Sequence, residues 1–236
     1  MKNIITAAAI ILSISGAFAQ ENYTVKMNMK IEGLPPEYAG FGEQEFINYS
    51  KGEMYKSEMT SMMGSTTNSF DGKILTSVSD QMGNKSGYTA TKEELDAASK
   101  ADKTEAKPKI EYTTEKKTVA GYECTKAVVT SIDKDKKENK INVWVTDKIK
   151  MSEGMAKSGG RRGGGMDFGD LKGYPLSIET SQNQGGMEMK VLLTATEVST
   201  STIDDSVFKV STEGYKMMTY KEFNDKMKAM QKGGSH

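Results

Sequence analysis

Tyr23-Thr24-Val25-Lys26-Met27-Asn28-Met29-Lys30-Ile31 alternates without a break. Tyr23, Val25, Met27, Met29 and Ile31 fall on one side and Thr24, Lys26, Asn28 and Lys30 on the other. Only an extended chain puts every second side chain on the same face, so the stretch predicts a β-strand with one buried and one solvated face. Gly33-Leu34-Pro35-Pro36 ends it, because proline withholds the amide a ladder needs. The fold is therefore expected to grow around a half-buried antiparallel strand.

The pattern repeats downstream. Residues 46 to 49 and 54 to 59 flank Lys51-Gly52, and residues 69–70 and 73 to 78 flank Asp71-Gly72, so both pairs predict short hairpins. Residues 110 to 114, 122 to 132 and 141 to 146 predict three more strands, the last two joined by the charged run 133 to 140. A further pair spans 175 to 180 and 187 to 198 around residues 183 to 186. Thr91-Lys92-Glu93-Glu94 and Thr219-Tyr220-Lys221-Glu222 are two capping boxes, in which a threonine hydroxyl and a glutamate carboxylate each accept from free amides at a helix start. The first predicts a helix of about two turns, the second a terminal amphipathic helix from about residue 220 carrying Phe223, Met227 and Met230. The sum is a mainly β (α+β) chain: a large curved antiparallel sheet of about ten strands, a half-barrel with short helices over one face.

Residues 1 to 19, MKNIITAAAIILSISGAFA, combine Lys2, an apolar run and the small-x-small triplet Ala17-Phe18-Ala19. They are expected to act as a signal peptide cleaved after Ala19, giving a periplasmic or secreted protein. Residues 20–236 then form one β-rich domain. Its Gly/Arg-rich stretch 152 to 170, which lacks apolar periodicity, is expected to be a flexible loop. No later stretch is long and apolar enough to predict a transmembrane helix.

The chain has 32 basic and 32 acidic residues, one Cys and one His. Balanced charge argues against nucleic acid as a partner, since phosphate binding needs a basic excess. The lone histidine is the terminal His236, which removes Ser-His-Asp and Cys-His catalysis and His-bound zinc from consideration. Glycine spacing fails the phosphate-loop pattern, since no Ser or Thr follows Lys73. Arg161-Arg162 among glycines carries no specific anion-site signal. Cys124, without a histidine or cysteine partner, reads as a small buried strand residue. These exclusions predict a protein without catalytic residues, cofactor or resident metal.

The 17 methionines include Met27/Met29, Met62-Met63, Met187/Met189 and Met217-Met218. Thioethers suit Cu(I), so a Met-rich exported Cu(I)-binding protein using Met27, Met29, Met187 and Met189 is one alternative function. Core and cavity filling is the stronger reading, because Met27 and Met29 continue the apolar face of Val25 and Ile31. Trp144, the sole Trp, is expected to pack under a helix or to line a ligand cavity.

Several blocks in the second half carry a resemblance: Lys117-Thr118-Val119-Ala120-Gly121-Tyr122-Glu123-Cys124, Val143-Trp144-Val145-Thr146-Asp147, Gly173-Tyr174-Pro175-Leu176, Ile203-Asp204-Asp205-Ser206-Val207-Phe208 and Gly214-Tyr215-Lys216. In this order they resemble the exported family of domains of unknown function numbered 4412 (DUF4412), which is similar in layout to LolA/LolB-like periplasmic carriers. The resemblance implies a half-open sheet enclosing an apolar cavity and no catalytic residue. The expected function is non-enzymatic binding of an apolar or amphiphilic ligand, a lipid or lipoprotein acyl chain, by Tyr23, Val25, Met27, Met29, Ile31 and Trp144. The other alternative is an envelope protein-interaction module.

Overall fold

The computed structural model describes residues 21–101, 108–132, 138–152, 171–184 and 187–233. The expected signal peptide lies outside them, as does the expected flexible loop apart from its first residue. The described chain forms twelve strands: β1 Tyr23–Glu32, β2 Glu43–Lys51, β3 Met54–Ser61, β4 Gly64–Phe70, β5 Ile74–Gln81, β6 Asn84–Thr91, β7 Lys109–Val119, β8 Tyr122–Ile132, β9 Glu138–Thr146, β10 Tyr174–Gln184, β11 Met187–Ser199 and β12 Lys216–Thr219. They make one curved open sheet in the order β12-β6-β5-β4-β3-β2-β1-β11-β10-β9-β8-β7. The alternating strand β1 thus stands inside the sheet. The meander β2–β6 continues from one of its edges, and β11 brings the second meander back to the other.

The expected all-antiparallel sheet of about ten strands needs correction on two points. The strand β12 lies parallel to β6 at one edge, Met217 opposite Gly87. The strand β6 (NKSGYTAT) is not among the expected strands and β4 (GSTTNSF) is expected only at residues 69–70, because both are built mainly of Gly, Ser, Thr and Asn and show little apolar alternation. Turn chemistry holds these short strands together. Met82 and Gly83 take φ 51° and 85°, as do Ala120 and Gly121 at 47° and 85°, the doubly left-handed turn that matches strand twist. A register shift between Tyr112 and Lys116 interrupts alternation in β7, which conceals its second half.

Both capping boxes form. Thr91 N–H donates to Glu94 Oε2 at 2.9 Å and Glu94 N–H to Thr91 Oγ1 at 3.2 Å, opening α1 (Lys92–Ala101). Thr219 and Glu222 repeat the exchange at 2.8 and 3.2 Å, opening α2 (Tyr220–Gly233). The two helices cover the far end of the first meander. Leu95 and Ala98 of α1 and Tyr220 and Phe223 of α2 pack on Tyr55, Phe70, Leu75, Tyr88 and Ala90. Phe223 stacks on Tyr88 with centroids 4.0 Å apart, whereas Met230 is 53% exposed and lies outside the expected helix face. No described helix is long and apolar enough to cross a membrane.

Candidate functional site

The register builds the candidate site row by row. Met29 stands beside Leu193, Leu193 beside Ile178, Ile178 beside Val143, and Val143 beside Ala127. The next row runs Ile31, Val191, Thr180, Ile141, Val129, Ile110. Both rows share one face of the sheet, since directly paired residues project to the same side. Within them Val129, Ile141, Val143 and Ile178 are buried, while Met29, Ile31, Val191 and Leu193 are half-buried. The apolar face is thus buried toward β8 and β9 and half-exposed at β1 and β11.

The five β1 residues expected in the site divide into two groups. Tyr23, Val25 and Met27 are 0–4% exposed and belong to a core cluster with Tyr174, Leu176 and Ala195. Tyr23 and Tyr174 meet edge to face at 5.1 Å. Burial pushes the Tyr23 phenol up to about 12, against a smaller opposing influence of the neighbouring Ser50 side chain and Ser152 backbone. These three residues hold the fold; Met29 and Ile31 are the two left accessible.

One polar group interrupts the apolar rows. Thr180 is 4% exposed and its Oγ1 is buried without a hydrogen-bond partner among the described residues. A buried hydroxyl without a partner costs about 1–3 kcal/mol, so the row carries a free donor and acceptor. It sits directly beside half-buried Val191. An amphiphile could satisfy it with an ester, carboxyl or hydroxyl group.

Trp144 is placed elsewhere. It is buried in the same core cluster as Tyr23, Val25 and Met27, but it stands in the row Asn28, Thr194, Ser177, Trp144, Lys126, which alternates with the row of Met29. Its expected place on a shared ligand face with Met29 and Ile31 is therefore not what the register produces. Nor do the cations on its ring come from a helix: the Lys117 ammonium lies 4.4 Å from the ring centroid and that of Lys126 5.9 Å. Lys117 also donates to Glu179 Oε1 at 2.9 Å and Ser177 Oγ at 3.3 Å. The indole N–H approaches Glu179 without a hydrogen bond of good geometry. An open polar cleft of about 470 Å³ adjoins this group, lined by Asn142, Glu179, Ser181 and Lys190 among others.

Burial raises the Glu179 carboxyl, but the Lys117 hydrogen bond and the Lys117 and Lys190 charges outweigh it, so its pKa lies below the ordinary value. A depressed folded pKa contributes stability above the unfolded pKa that is lost as pH falls through the folded one. Denaturant unfolding from about pH 6 to about pH 3 should show wild type losing its advantage over Glu179→Gln as acid is added. A constant difference across that range would mean the ion pair contributes nothing.

The methionines expected in the Cu(I) alternative are spread out. Met27 is buried, and its sulfur accepts from Asn48 Nδ2 at 3.7 Å. Met189 lies four residues along β11 from Leu193, the partner of Met29, roughly 13 Å at strand spacing. Cys124 is fully buried in the core cluster, and burial raises its thiol pKa despite nearby Lys117. Among the described residues, no group of His, Cys, Asp and Glu could hold a metal ion.

No family model matches the chain, and no curated protein does either. Several solved structures superpose on it in part. An uncharacterised conserved protein of Thermus thermophilus superposes with a TM-score of 0.48 at 9% identity, over 85% of this chain and 91% of that one. PNGF-II superposes at 0.46 and 16% identity over 87% of this chain, which spans about a third (33%) of PNGF-II's length. Lipoprotein LppX of Mycobacterium tuberculosis superposes at 0.36 and 12% identity, over 77% of this chain and 88% of LppX.

Proposed function

We propose that the protein binds an apolar or amphiphilic molecule, a lipid or lipoprotein acyl chain, without chemical conversion. The binding surface is the pair of rows Met29–Leu193 and Ile31–Val191 at the end of the central strand. The observation that carries the reading is the Thr180 hydroxyl, buried without a partner among the described residues inside an otherwise apolar, half-open face. An acyl chain would cover Met29, Ile31, Val191 and Leu193, and its polar end would meet Thr180. Each buried methylene contributes about 0.8 kcal/mol, so a part-buried chain reaches micromolar affinity after association costs.

Titration with a fluorescent fatty acid tests this. Saturable binding in the micromolar range is expected, weakened at least about tenfold by Met29→Asp, which places a charge on the apolar row. Thr180→Val keeps the shape and removes the acceptor, so it should weaken binding severalfold if the polar end uses Oγ1. Absence of saturable binding, or full affinity in Met29→Asp, would overturn the reading. Tight Cu(I) uptake abolished in Met27→Leu/Met29→Leu, with no acyl binding, would replace it with the soft-metal alternative.

A further inference from the structure

We infer that one end of the sheet docks on the surface of an uncharged lipid bilayer through Tyr38, Phe41, Met62, Met63 and Met82. These side chains are 54%, 40%, 68%, 45% and 75% exposed, among the largest apolar exposures of the described chain. They come from three separate connections: the 3-10 segment Pro36–Gly42, the β3–β4 turn and the β5–β6 turn. The three connections form one surface. The rings of Tyr38 and Phe41 lie 6.3 Å apart. The Met62 methyl occupies the space a Cβ on Gly40 would need, 2.7 Å away. Met82 N–H donates to the Met63 carbonyl at 3.0 Å, joining the two turns.

The opposite end of the same meander is built differently. Its connections are Gly52-Glu53 and Asp71-Gly72-Lys73, short and polar. Five large apolar groups gathered at one end, against Ile74 (44% exposed) at the other, indicate a surface that is covered in use. Their arrangement favours a bilayer over a protein. Side chains projecting from turn tips enter a fluid headgroup layer one by one, whereas a protein partner would need a matching hollow for each. Tyrosine and phenylalanine suit that interface.

Local charge selects the lipid. Glu37 and Glu43 flank the patch, and Asp80 is balanced by Lys85 at 3.8 Å. Lys30 stands opposite Glu43 in the ladder, so the rim has no basic excess to draw anionic headgroups; the surface fits zwitterionic lipid and its attachment should resist salt. The patch also adjoins the rows described above. A Cβ on Gly42 would meet Leu34 Cδ1 at 2.9 Å and the Ile31 carbonyl at 3.1 Å, so the segment bearing Tyr38 and Phe41 is packed against the Ile31 end of β1. Docking would bring the half-open rows to the lipid surface. The inference rests on the exposed turns and deepens the binding reading only by locating its entrance.

Flotation of the purified protein with phosphatidylcholine vesicles tests it, using the triple variant Phe41→Ser/Met62→Ser/Met82→Asn. Met82 has φ 51°, and Asn followed by Gly suits that turn, so the variant should unfold at an unchanged denaturant midpoint. Wild type should float with the vesicles at low and high salt, and the variant's partitioning should fall at least about tenfold. Fatty-acid affinity in solution should be the same in both. Wild type that stays unbound, a variant that floats equally well, or binding that needs phosphatidylglycerol and disappears in salt would overturn the proposal. So would sedimentation showing that these residues instead pair two copies of the chain, with no vesicle binding. Vesicle binding without fatty-acid binding would retain this inference and discard the previous one.

Discussion

Replacing Tyr174 with alanine is expected to lower the free energy of unfolding by roughly 3–5 kcal/mol, the range for truncating a large buried aromatic residue. Tyr174 is 1% exposed and packs edge to face on fully buried Tyr23. The two residues belong to β10 and β1, between which β11 intervenes, so the contact ties non-neighbouring strands. Burial pushes the Tyr174 phenol well above its usual range, with Tyr23 adding to the effect and the Asn48 side chain opposing it. Tyr174→Phe keeps the ring and loses only that polar contact, so it should cost about 1 kcal/mol. Denaturant midpoints at constant m measure both. A Tyr174→Ala loss no larger than that of Tyr174→Phe would show that the ring contributes little to closure of the sheet around β1.

Gly64→Ala should cost roughly 3 kcal/mol, although it adds a single methyl group. Gly64 opens β4 at φ 137°, a region that L-residues rarely enter, and a Cβ there would run into the Asp80 carbonyl oxygen on β5. The pair Gly64–Gln81 lies next to it in the ladder, so relief would have to come from the strand pairing itself. Gly52 provides the control. It turns β2 into β3 at φ 58° with nothing within 4 Å of the place a methyl would take, so Gly52→Ala should cost only about 1 kcal/mol of backbone strain. Thermal or chemical unfolding of the two variants side by side checks the contrast. Equal losses would show that the β4–β5 ladder relaxes around the methyl.

Much of the architecture was legible in local pattern. The alternation of residues 23 to 31 identified β1 and its buried face, and the two Thr-x-x-Glu boxes located both helix starts at the residues where the caps form. Strands β8 and β11 also emerged nearly whole, because their inward positions are apolar. Strand β4 was legible only at residues 69–70 and β6 not at all, because both consist mainly of Gly, Ser, Thr and Asn, which give no period-two signal. The second half of β7 was hidden for another reason. Its register shift is held by Thr113, whose Oγ1 donates to the Lys126 carbonyl at 3.4 Å and accepts from Glu115 N–H at 3.1 Å, and a shifted ladder breaks alternation.

The candidate site was legible only in part, since alternation tells which residues share a face but not how deeply each one lies. All five β1 residues followed the same pattern, yet Tyr23, Val25 and Met27 became core and Met29 and Ile31 remained half-open. That division depends on Tyr174 and Leu176, about 150 residues away in the chain, arriving over one end of β1. The place of Trp144 likewise depended on cross-strand register, which sets it in the Asn28 row. The sequence by itself determined the strand-rich class, the central strand and its buried side, and the capped helix starts, because each is decided by residues within one turn or one strand of each other. Only the tertiary structure decided which apolar residues are core and which form a surface, the isolation of the Thr180 hydroxyl, and the gathering of Tyr38, Phe41, Met62, Met63 and Met82 at one end, because burial and proximity are set by pairing between distant segments.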